Sequence, residues 1–354
     1  MLERTLLKLR CPLTGSLPTG LEVFEERVIN GVKHIYSGNI VFKDSKYPIK
    51  EGIVCFGTSS SVSLYDNIWK TNFEKLKNNQ ITYDDFRREK LLTLLGCKTF
   101  GWLNKKSFLD VGSGFGRFSL AAVEMGADVI ALDSSFDGLK ITFSLLSGKL
   151  NSEQFARVDF VQTDIMDSVF VLGSFDVVFS AYVLHHTEDT KEALKVVGKY
   201  VKPSGYLAVT VFTPESGHSP ILWVFRSFIM NIPAEDRQRI IGKLGILSVD
   251  GVKPVINMPE ILNKLSSDPD LANFSSGIRL RDLLQPETLN TDYIWIQSQG
   301  ELSQWFSDLG FCIEYQLGET TVGRLGKTTL IDRFKRMVFF QRARRKLVTL
   351  LNKR

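Results

Sequence analysis

Phe108-Leu-Asp-Val-Gly-Ser-Gly-Phe-Gly-Arg117 is the stretch on which the fold turns. Ser107-Phe-Leu-Asp-Val111 is a short apolar run that predicts a strand, and Phe118 to Met125 predicts a helix closed by Gly126. Between them Gly112, Gly114 and Gly116 close a tight turn of the kind that lets backbone approach a ligand where a Cβ would intervene. A bare G-x-G-x-G is weak evidence. Here it follows a predicted strand and opens a predicted helix, and Asp133 ends the next strand 21 residues after Gly112. An acid at that place is positioned to accept hydrogen bonds from ribose hydroxyls, although it also suits a helix N-cap.

Outward from this turn the chain alternates. Asp128–Leu132 is a second strand and Gly138–Leu146 a second helix; Val158–Gln162 is a third strand and Phe175–Val183 a fourth. Asp189–Val201 follows as a helix and Gly205–Phe212 as a fifth strand. Near-continuous apolar strands alternating with helices predict a mostly parallel sheet covered on both faces. After Phe212 the alternation lapses for about 85 residues, then resumes with a helix at Glu301–Leu309 and a strand at Phe311–Tyr315. The insertion, 213–300, is a helical cap candidate over the ligand edge.

Two nucleotide motifs are excluded by single residues. The dinucleotide fingerprint G-x-G-x-x-G needs glycine where Arg117 stands, and the P-loop lookalike ending Gly326-Lys-Thr328 has Thr321 in place of its first glycine.

Asp110-x-Gly-x-Gly-x-Gly116, Asp133, Asp164, Phe175-Asp-Val-Val-Phe-Ser-Ala-Tyr-Val-Leu-His-His-Thr187 and Lys202-Pro-Ser-Gly205, taken in order, resemble the class I S-adenosylmethionine-dependent methyltransferases, small-molecule branch. The resemblance covers roughly residues 105–215. It implies a Rossmann-like α/β fold with a mostly parallel seven-stranded sheet and helices on both faces, and S-adenosylmethionine as cofactor. It further implies that Asp110, Gly112, Ser113, Gly114 and Gly116 lie against the methionine and ribose, that Asp133 with Ser134 binds the ribose, and that Asp164 and Ile165 flank the adenine. Asp164 suits a solvated loop acid as well. Ser180 would line the methionine and acceptor side.

Methyl transfer is an in-line displacement from a donor that is already activated, so the protein chiefly aligns the reactants and excludes water. A base helps when the acceptor is a hydroxyl. His185 and His186, at the end of the fourth predicted strand, are the candidate bases, and adjacent strand residues point to opposite sides, so one at most faces the acceptor. Amine-directed base methyltransferases typically carry Asn/Asp-Pro-Pro-aromatic after the fourth strand, where Ser180-Ala-Tyr-Val183 stands here, and no cysteine lies in a Pro-Cys context. The expected acceptor is a small molecule with an oxygen or carbon nucleophile. The rivals are an RNA methyltransferase and a non-catalytic scaffold that has kept the fold.

The flanks have their own signatures. Residues 1–57 predict a small β-rich module; Leu9-Arg-Cys-Pro-Leu-Thr-Gly15 with Tyr47-Pro-Ile-Lys-Glu-Gly-Ile53 resembles the zinc-ribbon family of methyltransferase activator subunits, with Thr14 where the second cysteine of a pair would fall. No metal is expected there. A polar linker, Gly57–Ser63, leads to the methyltransferase domain at 64–320, whose first helix aligns Tyr65, Trp69 and Phe73 for core packing or for closure over the cofactor. Arg281–Pro286 and Glu301-Leu-Ser-Gln-Trp-Phe-Ser-Asp-Leu-Gly-Phe311 resemble the C-terminal part of fused bacterial enzymes of this kind, with a buried Trp305-Phe306 edge and Gly310 as C-cap.

The 354 residues are 44% hydrophobic and 23% charged, a globular composition, and the formal net charge is +5. That charge is unevenly placed. Residues 324–354 predict a basic amphipathic C-terminal helix that carries +10 and leaves −5 on the rest. Such a helix suits packing on the domain, a membrane surface or an anionic partner; the acidic body offers no charge argument for nucleic acid. No run of about 20 apolar residues is present to span a bilayer, and Cys11, Cys55, Cys97 and Cys312 lie far apart, so a cytoplasmic protein, peripheral to the membrane at most, is expected.

Overall fold

The structure, a computed structural model, describes residues 1–57, 87–213 and 295–326. The aromatic face at Tyr65, Trp69 and Phe73, the insertion up to residue 294, the Arg281–Pro286 stretch and the basic tail beyond Gly326 lie outside the described residues.

Strand β5 (Ser107–Val111) is buried along its whole length, which is why it reads as an unbroken apolar run. It leads through the glycine turn into α2 (Arg117–Glu124), then β6 (Asp128–Asp133), α3 (Phe136–Lys149), the short α4 (Ser152–Phe155) and β7 (Val158–Gln162). Strand β8 (Phe175–Ala181), α5 (Thr190–Gly198) and β9 (Val201–Thr210) follow, and the described chain ends with α6 (Gln299–Asp308), β10 (Phe311–Leu317) and β11 (Thr320–Leu325). The helices start where side chains cap them. Ser135 accepts from the Gly138 amide at 2.8 Å, Asp189 from the Lys191 and Glu192 amides, and Ser298 with Glu301 forms a reciprocal capping box. Asp133 is therefore not the cap of α3.

Before the glycine turn come four further strands, β1 (Gly20–Ile29), β2 (Val32–Val41), β3 (Lys46–Lys50) and β4 (Ile53–Cys55), and the helix α1 (Arg87–Leu94). One sheet holds all eleven strands of the described residues in the order β1-β2-β3-β4-β7-β6-β5-β8-β9-β11-β10. The expected seven-stranded, mostly parallel sheet is its right-hand part, from β7 to β10, with β11 the antiparallel member between β9 and β10. The N-terminal residues are β-rich as the sequence predicts, and they continue that sheet: β4 runs parallel to β7, with Val54 opposite Val161 and Cys55 opposite Gln162. Their hairpins turn at Asn30-Gly31 and Glu51-Gly52, both residues of each pair being left-handed, as a two-residue turn between right-twisted strands requires. Cys11 is buried with Sγ 3.5 Å from Ser45 Oγ, and Thr14 hydrogen-bonds Ser16.

Several boundaries differ from the sequence patterns; β9 starts at Val201, inside the predicted helix Asp189–Val201, and not at Gly205. The fourth strand stops at Ala181, and Leu184–His186 forms a 3-10 turn instead of continuing it. Arg324 and Leu325, counted with the basic tail, are the last residues of β11. The expected Trp305-Phe306 edge is split: Phe306 is buried, Trp305 only half so.

Apolar packing covers both faces of the sheet. Leu91, Leu120, Ala121, Leu139, Leu146 and Phe155 of α1–α4 close one side, and Leu194, Val197, Leu302 and Phe306 of α5 and α6 close the other. Strand order reverses between β5 and β8, so the crevice for a ligand opens above their carboxyl ends.

Candidate active site

Gly112 and Gly116 are required by the geometry of that crevice. Both are left-handed, at φ +71° and +77°. A Cβ on Gly112 would fall 2.4 Å from a Val183 methyl, and one on Gly116 2.4 Å from the Thr142 methyl. The turn is thus clamped between the segment after β8 and the face of α3. Thr142 Oγ1 adds a hydrogen bond to the Gly114 carbonyl at 2.8 Å.

Asp133 sits at the end of β6 with only 7% of its surface exposed. Its Oδ2 accepts the Gly114 amide at 2.8 Å and its Oδ1 the Ser135 amide at 2.9 Å. A buried carboxylate that takes two backbone N–H groups is held in one orientation. The adjacent strand end is tied to it, since the Thr163 amide donates to the Asp133 carbonyl at 3.1 Å. That places Asp164 and Ile165 immediately beyond. Asp164 is half-buried and accepts the Met166 amide at 2.9 Å, while Ile165 packs on the core. Glycine turn, Asp133 and Asp164 therefore line one continuous edge across β5, β6 and β7.

The other sequence-predicted residues are engaged in different ways. Asp110 is buried under the turn, where Ser119 of α2 donates to its Oδ2 at 2.6 Å. Burial pushes its carboxyl up to about 7, against the pull of the Ser119 hydroxyl. Ser180 is buried and donates to the Val111 carbonyl at 3.2 Å, bonding β8 to β5 at the point of strand reversal. Ser134 gives its carbonyl to Gln162 Nε2 at 3.2 Å.

His185 and His186 occupy one side, not opposite sides, because a 3-10 turn and not a strand carries them. Their ring centroids are 4.2 Å apart, and His185 lies 4.2 Å from Phe212 on its other flank. His185 is fully buried; His186 is half-buried and the more accessible of the two. The chain returning from the insertion is pinned over them. The Trp295 amide donates to the His185 carbonyl at 2.9 Å, Trp295 Nε1 to the Thr187 carbonyl, and the Gln297 amide to the Phe212 carbonyl. Sequence patterns missed Phe212, Trp295 and Glu319 on this side, and Tyr182 beside them, because nothing local links positions so far apart in the chain.

Cofactor fit can be judged at the turn itself. Ser113 Oγ is buried there without a hydrogen-bond partner among the described residues, an unusual state for a hydroxyl and one that a bound polar ligand would relieve. Along the same edge stand the Asp133 carboxylate, suited to ribose hydroxyls, and, past the end of β7, the Asp164 carboxylate, suited to an exocyclic amine. These residues fit a nucleoside with a short polar side arm. Among the described residues no group of three His, Cys, Asp or Glu side chains has metal-binding geometry, and no helix is long and apolar enough to cross a membrane.

Residues 109–209 match the family model for a methyltransferase domain. The chain is 27% identical over 204 residues to demethylmenaquinone methyltransferase of Renibacterium salmoninarum, covering 57% of this chain and 65% of that one. It is 34% identical over 123 residues to demethylmenaquinone methyltransferase of Lactococcus lactis, covering 34% of this chain and 47% of the relative. Thus the chain spans about half to two thirds of the length of these curated relatives. Among solved structures, magnesium protoporphyrin IX methyltransferase from Synechocystis with bound SAH aligns over 74% of this chain and 98% of that one, at 13% identity and a TM-score of 0.44. Residues 109–209 form a methyltransferase domain, and S-adenosylmethionine is the cofactor such a domain takes.

Proposed function

We propose that this protein transfers a methyl group from S-adenosylmethionine to a small molecule bearing an oxygen or carbon nucleophile. The observation that carries the proposal is the Asp133 carboxylate, buried at the glycine turn and fixed by the Gly114 and Ser135 amides. Gly112, Ser113, Gly114 and Gly116 would hold the methionine arm and ribose, Asp133 with Ser134 the ribose, and Asp164 and Ile165 the adenine. Asp110 and Ser180 support this edge from beneath, through Ser119 and through the Val111 carbonyl.

The cofactor, when bound, supplies a methyl group on a sulfonium, already activated for displacement. A hydroxyl acceptor would give up its proton to a side chain of this protein as it takes that methyl group. This chain's residues contribute alignment and proton removal. His186 is the base of this proposal, since its ring is half-open where that of His185 is sealed between His186 and Phe212. The Trp295 and Gln297 amides pin the returning chain to the same side.

One feature argues for a small acceptor over RNA: the residues outside 324–354 carry a net charge of −5. Calorimetric titration with S-adenosylhomocysteine tests the cofactor half. Saturable binding that Asp133→Ala abolishes is expected; no binding, or binding indifferent to that substitution, overturns it. Labelled methyl transfer into a metabolite extract and not into total RNA is the expected result for the acceptor half.

A further inference from the structure

Tyr182 stands out on the acceptor side of the crevice. It follows β8 directly, and its amide donates to the Thr210 carbonyl at the end of β9. Its backbone is left-handed at φ +61°, a conformation that disfavours a bulky side chain and persists where surroundings impose it, commonly at ligand sites. The next residue, Val183, is the one that seals Gly112. Tyr182 therefore adjoins the residue that packs on the glycine turn.

Its side chain is fixed at both ends. The phenol donates to Glu319 Oε2 at 2.8 Å, and the ring centroid lies 6.0 Å from that of Phe212. Phe212 in turn contacts His185, and His185 contacts His186. Four rings therefore make a continuous stripe over the carboxyl ends of β8 and β9, with Tyr182 still 38% exposed. Resting on the proposed methyl transfer, the geometry points to Tyr182 as the residue that positions the acceptor, and to a planar aromatic ring bearing a hydroxyl as the acceptor class.

The chemistry selects both features. Aromatic faces favour another ring in offset or edge contact over a saturated ring of equal size. A phenol has one proton, and here Glu319 takes it, so the remaining lone pairs of Tyr182 Oη can only accept. Burial and the neighbouring carboxylate push the ionisation of Tyr182 upward, so that proton stays in place at neutral pH. A ligand hydroxyl is then welcomed as a donor, and its methyl ether is not. Glu319 acts through Tyr182 and is a positioning residue.

Three matched probes test this on the full chain, with and without S-adenosylhomocysteine: 2-naphthol, 2-methoxynaphthalene and decahydro-2-naphthol. Affinity is read by calorimetry and saturation-transfer NMR. The parent should bind 2-naphthol about fivefold or more tightly than either of the other two. Tyr182→Phe should erase the preference for hydroxyl over methoxy and keep the preference for the aromatic ring. Glu319→Ala, which frees the phenol to donate, should narrow the hydroxyl preference. Tyr182→Gly should lose the ring preference without melting at a lower temperature, a result that a merely structural tyrosine would not give. Equal binding of the three probes, no binding of 2-naphthol, or a hydroxyl preference that survives in Tyr182→Phe overturns the proposal. Failure of S-adenosylhomocysteine to bind overturns the cofactor reading instead; the probe titrations made without it still decide the ring proposal.

Discussion

The two sides of the crevice are built by different means. On the cofactor side, above β5, β6 and β7, the polar contacts run between backbone amides and residues close in sequence: Asp133 to Gly114 is 19 residues apart and Asp133 to Ser135 is two. On the acceptor side, above β8, β9 and β11, they run between distant side chains, Tyr182 to Glu319 over 137 residues and Thr210 to Thr320 over 110. A cofactor common to many reactions can be held by backbone geometry, which tolerates little change. An acceptor is recognised by side chains, which substitute freely. The left-handed glycines belong to the first mode, the strained Tyr182 to the second.

This contrast can be broken at several points. The largest expected effect is on chemistry: His186→Asn should lower kcat by about hundredfold or more while the affinity for S-adenosylhomocysteine is kept, in a single-turnover assay. If kcat is unchanged, the base is not His186. Gly112→Ala should cost about 3 kcal/mol in urea denaturation, from the left-handed backbone and the collision with Val183 together. Tolerance of that alanine would mean that Val183 moves aside easily and the turn is not clamped.

Asp133→Ala should cost about 2 kcal/mol of stability as well as cofactor binding, because the Gly114 and Ser135 amides lose a buried acceptor. An intact fold of unchanged stability would show that water replaces the carboxylate there.

The smallest effect concerns Asp110 and depends on pH. Its folded pKa of about 7 lies above the ordinary value of 3.8, so between these the native state holds the proton more tightly than the unfolded chain. Stability from this group is therefore present below about pH 4 and falls as pH rises towards 7. Asp110→Asn should flatten that slope in melting curves taken from pH 5 to 8, and should gain on the parent at the alkaline end. An unchanged slope would place the pH dependence elsewhere.

Much of the cofactor side was legible before any coordinates. The strands at Ser107–Val111 and Val158–Gln162 fall where apolar patterning puts them, and the glycine turn lies between β5 and α2 with Asp133 at the end of β6. These are short-range consequences of residue type: burial on both faces makes a strand apolar throughout, and a left-handed turn excludes a Cβ. The histidine pair was legible as a pair but not in orientation, since Phe175–Val183 looks like one strand. What ends it at Ala181 is the left-handed Tyr182, a conformation set by contacts and not by the tyrosine itself.

By itself, then, the sequence determined the alternating α/β unit, the glycine turn and the acid that serves it, because each depends on residues within one βα step. Tertiary structure alone decided three other things. It joined β4 to β7, so that the N-terminal strands extend the central sheet, through backbone hydrogen bonds that carry no side-chain signature. It folded His185 and His186 onto one side against Phe212. And it brought Glu319, from the turn before β11, to the phenol of Tyr182. Each of these contacts closes a long loop of chain, and a pairing of that kind is settled by how whole strands pack, which no local pattern encodes.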